Sequence, residues 1–439
     1  MPYQQIPGTS EQYALLCYDK RGRERSDDPD GVGGSLFKAI ISQVEKLQPS
    51  HVFLFSHGWK GDIDAARDQY DRWVKALLDL KADQSAVPGT FKPIWIGLHW
   101  PSLPFGDEEF GGADFSADTA PLSPQRLKAT YMDRLDVGDD AAPLLDTIIL
   151  SYQKNAAATE LPAQAVDAYR KLAEKMRYQE DGPSGHPDAA RCAFDPQQAF
   201  QRGTEASAGA SFETGGILAG VLSPLRQLSY WTMKQRARAI GESGMHDFIA
   251  TLMKAAPQAR FHLMGHSFGT IVVSGILGGR DGKDPLPRKV DSVALVQGAV
   301  SLWAFGDQVH GKSLKGYFNP VIHRPSVRGP VIVTRSIYDR AVGILYPWAS
   351  AASFNDGAFD ADEEDLPLYG AIGKFGIRAL PNVEFRDMLD QNGLYKFKPG
   401  WIYNIQSSQY IRHGGGVSGA HSDIAGPEVA HAMWQAALV

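Results

Sequence analysis

Ser267 stands between two glycines in the segment Gly265-His266-Ser267-Phe268-Gly269. Apolar runs flank it on both sides, Phe261-His262-Leu263-Met264 before and Thr270-Ile271-Val272-Val273 after. A chain that leaves a strand and turns at once into a helix needs small residues at the crossing. A serine at the apex then has its hydroxyl lifted clear of the fold, which is the geometry of an activated nucleophile. The chain contains 45 glycines, so a glycine-rich turn that merely happens to hold a serine is the competing reading.

Three further segments carry matching chemistry. In Val52-Phe53-Leu54-Phe55-Ser56-His57-Gly58-Trp59 an apolar strand runs straight into His-Gly. Acyl transfer needs two preorganised N–H donors where negative charge develops on the carbonyl oxygen. Phe268, the residue after the serine, can supply one, and backbone at Gly58 or Trp59 the other; an ordinary strand-to-helix turn is the alternative. In Val331-Ile332-Val333-Thr334-Arg335-Ser336-Ile337-Tyr338-Asp339 a strand ends in a turn whose carboxylate is placed to hold an imidazole. Asp339 could instead cap its turn or pair with Arg340, and Asp307 is the second choice of acid. In Gly414-Gly415-Gly416-Val417-Ser418-Gly419-Ala420-His421-Ser422-Asp423 a glycine-rich loop brings His421 forward before the last helix. His413, at a strand end, and His431, within the last helix, are less apt.

These residues need a scaffold, and short apolar runs alternating with helical patterns supply one: a mostly parallel sheet flanked by helices. Strands are expected at Tyr13–Tyr18, His51–Ser56, Pro93–His99, Phe261–Met264, Ser292–Val296, Val331–Ser336 and Trp401–Ile405. Between the second and third of these, Ala66, Tyr70, Trp73, Val74 and Leu77 mark one apolar helix face. Pro427 opens a closing helix that buries Val429, Ala430, Met433, Trp434 and Ala437. A polar helix is expected over about Ala163 to Met176. The apolar stretch Gly216–Leu222 reads as a core-facing helix leading to the nucleophile strand.

Hydrophobic residues make up 43% of the chain and charged ones 21%, as in globular proteins, and the net charge of −6 without a Lys/Arg block argues against nucleic-acid binding. Two cysteines, Cys17 and Cys192, do not make a disulfide framework. No apolar stretch is long enough for a transmembrane helix and no signal peptide is evident, so the expected location is the cytoplasm. P-loop, H-E-x-x-H and complete G-x-G-x-x-G patterns are missing, and the acidic run Asp360–Asp365 lacks calcium-loop spacing. Neither a metal nor an organic cofactor is expected.

Serine, acid and histidine in this chain order, each after a strand, resemble the α/β-hydrolase fold of serine esterases and lipases. The match is full at Gly265, Ser267 and Gly269. His57-Gly58 is similar to the family's oxyanion segment but without its extended H-G-G-G form. The resemblance implies an α/β-hydrolase core made of residues 1–101, 216–343 and 401–439. It leaves an insertion at 102–215 that could cap the site, with Leu103, Phe105, Phe110 and Phe115 as an apolar underside, and a second insertion at 344–400. The implied activity is hydrolysis of a small-molecule acyl ester by a triad of Ser267, Asp339 and His421. Phe268 with Gly58 or Trp59 would form the oxyanion hole, and Gly265, His266 and Gly269 the nucleophile turn. A lipase or phospholipase, a thioesterase, an amidase, or a silent hydrolase-like binding protein would share these features; oligomeric state is not readable.

Overall fold

The apolar run Val52-Phe53-Leu54-Phe55 is buried along its whole length, which only a strand with neighbours on both edges and layers on both faces achieves. A computed structural model describes residues 3–25, 35–58, 63–102, 123–154, 160–176, 194–208, 215–310, 313–323, 326–342, 365–414 and 418–439. Its strands are β1 (Tyr3–Gln5), β2 (Gln12–Cys17), β3 (His51–Ser56), β4 (Pro93–His99), β5 (Arg260–His266), β6 (Ser292–Val296), β7 (Val331–Arg335), β8 (Val383–Asp387) and β9 (Ile402–Gln406). The helices are α1 (Leu36–Leu47), α2 (Ile63–Asp79), α3 (Lys81–Ser85), α4 (Pro124–Arg134), α5 (Ala142–Lys154), α6 (Ala163–Lys175), α7 (Pro196–Ala208), α8 (Gly215–Ile240), α9 (His246–Ala255), α10 (Gly269–Gly278), α11 (Asn319–His323), α12 (Ile372–Phe375) and α13 (Pro427–Ala437).

The nine strands form one mixed sheet in the order β1-β2-β4-β3-β5-β6-β7-β9-β8. Only β1 runs antiparallel to its neighbour. The fold is therefore α/β with a mostly parallel sheet, as the alternation of runs implied. Two strands were not expected. Tyr3-Gln4-Gln5 and Val383-Glu384-Phe385-Arg386-Asp387 are the two edges of the sheet, half polar and only partly buried. An edge strand carries no continuous apolar run, and β8 falls inside the segment read as the second insertion.

Side chains alternate across β3. Val52 and Leu54 enter one core with residues of α1, α8, α9 and α10, while Phe53 and Phe55 enter another with α2 and α13. The apolar face expected on α2 is buried. Trp434 of α13 donates from its indole to the Leu77 carbonyl at 2.9 Å, fastening the closing helix to α2. On the first face the helical run continues from α8 through a π-turn at Gly241–Met245 into α9. Gly241 packs so closely on the helix after the serine that a Cβ there would lie 2.4 Å from the Val272 carbonyl oxygen. Helices α4 to α7 follow β4, and Leu127, Tyr131, Leu145, Tyr169 and Phe200 join this same core. Leu103, Phe105, Phe110 and Phe115 lie outside the described residues, as do Cys192, residues 360–364 of the acidic run and the side chains of 216–221. No described helix is long and apolar enough to cross a membrane.

Candidate active site

Parallel register brings the carboxyl ends of the central strands level. Ser56 pairs with Gly265, His266 with Val296, and Arg335 with Gln406. The segments that leave this edge are those singled out from the sequence, and such an edge is where ligands bind in open α/β sheets.

Strand β5 extends to His266, so Ser267 is the first residue beyond it and Phe268 caps α10. Ser267 has φ of 55°, a left-handed conformation that a serine adopts only when its surroundings impose it. They do so through its backbone. Ser267 N donates to the Val296 carbonyl at 3.1 Å, and its own carbonyl accepts from Ala299 N at 3.1 Å and Thr270 Oγ1 at 2.6 Å. The flanking glycines are sterically required. A Cβ at Gly265 would lie 2.4 Å from the Gly269 carbonyl oxygen, and one at Gly269 would lie 2.2 Å from that of Ser56. The amide of Phe268 sits at the positive end of the ten-residue helix α10, where a developing oxyanion is stabilised.

Gly58, just past β3, abuts the serine. A Cβ there would be 2.4 Å from Ser267 Cβ. Its carbonyl accepts from His57 Nδ1 at 2.7 Å and Ser102 Oγ at 2.9 Å. His57 Nε2 accepts from the Trp100 amide at 3.2 Å, and the His57 amide donates to Tyr70 Oη at 2.7 Å. Both ring nitrogens are thus used by a neutral imidazole. Burial, reinforced by neighbouring His99, pushes His57 down to about 3 and keeps it neutral. Trp59, the alternative donor, lies outside the described residues.

Asp339 and His421 meet. His421 Nδ1 lies 2.7 Å from Asp339 Oδ2, with both side chains buried. The same oxygen accepts from Gln297 Nε2 at 2.9 Å, and Oδ1 accepts from Val342 N at 3.1 Å. A carboxylate so engaged holds the imidazole in the tautomer with hydrogen on Nδ1, leaving a lone pair on Nε2. His421 Nε2 is buried and has no hydrogen-bond partner among the described residues. The loop carrying His421 is pinned to the serine turn by His266, whose Nε2 lies 2.8 Å from the His421 carbonyl oxygen, and to α2 by Trp73 Nε1, which donates to Ile424 O at 3.2 Å.

The other choices are engaged elsewhere. Asp307 bonds Asn319 and, at 2.5 Å, the half-exposed His323. His413 is exposed and its amide donates to Asp423. His431 is buried between Asp83 Oδ2 and the Gly393 carbonyl, each at 2.7 Å. Gln297, Ser102 and Trp100 were not anticipated, and Tyr70 was expected only on the apolar face of α2. Gln297 alone left a trace, as the first polar residue after the apolar strand β6. No group of metal-binding side chains occurs among the described residues. No known family model, curated protein or solved structure matches the chain.

Proposed function

We propose that the chain is a serine hydrolase of the α/β-hydrolase type that cleaves carboxylic esters of small molecules. One observation carries the reading: a strained serine at the carboxyl edge of the sheet shares that edge with a buried imidazole whose Nδ1 is held by a carboxylate and whose Nε2 has no partner among the described residues. The order of the chain supports the fold type, with the nucleophile after β5, the acid after β7 and the histidine after β9.

In the reaction Ser267 Oγ adds to the ester carbonyl carbon while its proton passes to His421 Nε2. The carbonyl oxygen becomes an oxyanion facing the Phe268 amide and the backbone at Gly58 or Trp59. Collapse expels the alkoxide, which takes the proton from His421 and leaves as alcohol, and the acyl group remains on Ser267. Water then repeats the sequence, releasing the acid and restoring the serine. Asp339 orients His421 and stabilises its imidazolium form, and burial of the pair strengthens that interaction by excluding water. The scheme uses neither metal nor organic cofactor.

The test is labelling of the purified protein with a fluorophosphonate, peptide mapping of the adduct, and hydrolysis of a matched ester, thioester and amide series. An adduct on Ser267 with the ester preferred is the expected result. An adduct elsewhere, or no adduct and no turnover, overturns the reading.

A further inference from the structure

His266 touches the segments that carry His421 and Gly58 as well as its own. It precedes Ser267 in the chain, and its ring nitrogen Nε2 lies 2.8 Å from the carbonyl oxygen of His421. A carbonyl only accepts, so the hydrogen is on Nε2, and Nδ1 lies on the side of Gly58. There a Cβ on Gly58 would come within 3.0 Å of Nδ1. The ring is 2% exposed, packs against the His421 ring with centroids 4.7 Å apart, and meets the edge of Trp73 at 84°.

We infer that His266 is a positioning residue that fixes His421 relative to Ser267; this rests on the hydrolase reading above. The segment from 407 to 426 contains neither strand nor α-helix among its described residues; an antiparallel bridge pairs Gly419 with Asp339, and Ala420 N donates to the Tyr338 carbonyl at 2.9 Å, so these backbone bonds tie the loop to the turn of the acid and not to that of the serine. Asp339 holds one atom of the ring, and a ring held at one atom pivots about its own backbone. The bond from His266 ties that backbone to the serine turn, and its other end is one peptide from the nucleophile. Base and nucleophile are thereby linked directly through one side chain, whose bond must break before the two drift apart.

The experiment compares His266→Phe, which keeps a planar ring without the donor, with His266→Gln, whose amide nitrogen reaches about as far as Nε2. A misplacement near 1 Å at a reacting centre costs on the order of 10²-fold. The Phe variant is expected to lose about that factor in kcat with KM little changed, and the Gln variant to recover most of it. Proton NMR gives a readout independent of turnover. The downfield Nδ1–H resonance of the His421–Asp339 pair should be sharp in the unmodified protein, broadened in the Phe variant and sharp again in the Gln variant. If the Phe variant melts early, His266→Asn, with an amide too short to reach, replaces it. Equal activity and equal spectra in all variants overturn the inference, as does equal loss in folded Gln and Phe variants. If the unmodified protein neither turns over esters nor takes the fluorophosphonate, the hydrolase reading fails, while the resonance still decides whether His266 holds His421.

Discussion

Gly58→Ala is the substitution whose effect the geometry specifies most tightly. The added methyl carbon would stand 2.4 Å from Ser267 Cβ, 2.9 Å from the His266 carbonyl oxygen and 3.0 Å from His266 Nδ1. Two carbons rest at ~3.5 Å or more, so the methyl and the serine must separate by about 1 Å. Neither side yields freely. Ser267 is tied through Val296, Ala299 and Thr270, and the Gly58 carbonyl is tied by His57 and Ser102. Overpacking of this kind costs ~1–3 kcal/mol of stability, which a protein with cores on both sheet faces tolerates. The same shift at the reacting atoms costs on the order of 10²-fold in rate, about 2.7 kcal/mol of barrier. The Ala variant should therefore remain folded, melt a few degrees lower, and lose about two decades in kcat/KM for a short activated ester and in labelling rate by a fluorophosphonate. A variant with kcat/KM within about threefold of the unmodified protein would refute the argument, because the β3–α2 turn could not then lie against the nucleophile.

Other substitutions separate chemistry from scaffold. Ser267→Ala should leave the fold intact and lower ester hydrolysis by up to ~10⁶-fold, checked by turnover and by disappearance of the labelled peptide. Ser267→Gly should also be inactive yet more stable by about 1 kcal/mol, since glycine accepts the left-handed backbone that serine is forced into; thermal unfolding reads this, and an unchanged or lower stability contradicts the strain. Asp339→Asn should cost up to ~10⁴-fold in kcat, while Asp307→Asn, whose carboxylate serves His323, should leave kcat unchanged. Burial, aided by nearby positive charge, lowers His57 to about 3 and drives His262 well below its ordinary value. Their unfolded values near 6.5 exceed the folded ones, so the unfolded chain binds the extra protons, and stability is intact above about pH 6.5 and lost below it. Each of the two contributes up to ~1.4 kcal/mol per pH unit, so urea unfolding should weaken steeply from about pH 6.5 to 5 and less steeply in His57→Asn; equal slopes would count against the buried neutral form.

What could be read from the residues depended on whether a signal is local. The central strands announce themselves because a strand buried on both faces is apolar throughout, as in Val52-Phe53-Leu54-Phe55. Strand β8 does not, because an edge strand half open to water tolerates Glu384 and Arg386; its Phe385 is itself exposed and meets the guanidinium groups of Arg335 and Arg378 at 4.9 and 4.4 Å from the ring centre. The proximity of Asp339 to His421 was legible as two residues each following a parallel strand on one edge. The network around Gly58 was not. Trp100 and Ser102 reach His57 only because β4 is inserted between β2 and β3, and strand order is not written in any local pattern. Gln297 reaches Asp339 for the same kind of reason, through the neighbouring placement of β6 and β7.

Two buried histidine–aspartate pairs occur among the described residues, and their difference bears on function. His431 bonds Asp83 through Nδ1 and the Gly393 carbonyl through Nε2, and Gln435 donates to the second oxygen of Asp83 at 2.9 Å. Every polar atom of that ring is occupied by the contact between α13, α3 and the 390–393 turn. It is a clasp. His421 has the same carboxylate contact at the same 2.7 Å, yet its other nitrogen is buried and has no partner among the described residues. Burying a polar nitrogen without a partner costs ~1–3 kcal/mol, and His262 Nε2 is another such nitrogen among the described residues; what sets His421 apart is that a carboxylate holds its ring at the edge that carries Ser267. The cost becomes intelligible if a transient partner, the serine proton and later that of water, occupies the position during turnover. Strain at Ser267 belongs to the same account, because it and the unpartnered nitrogen of His421 fall within one edge of one sheet, where a substrate would meet them together.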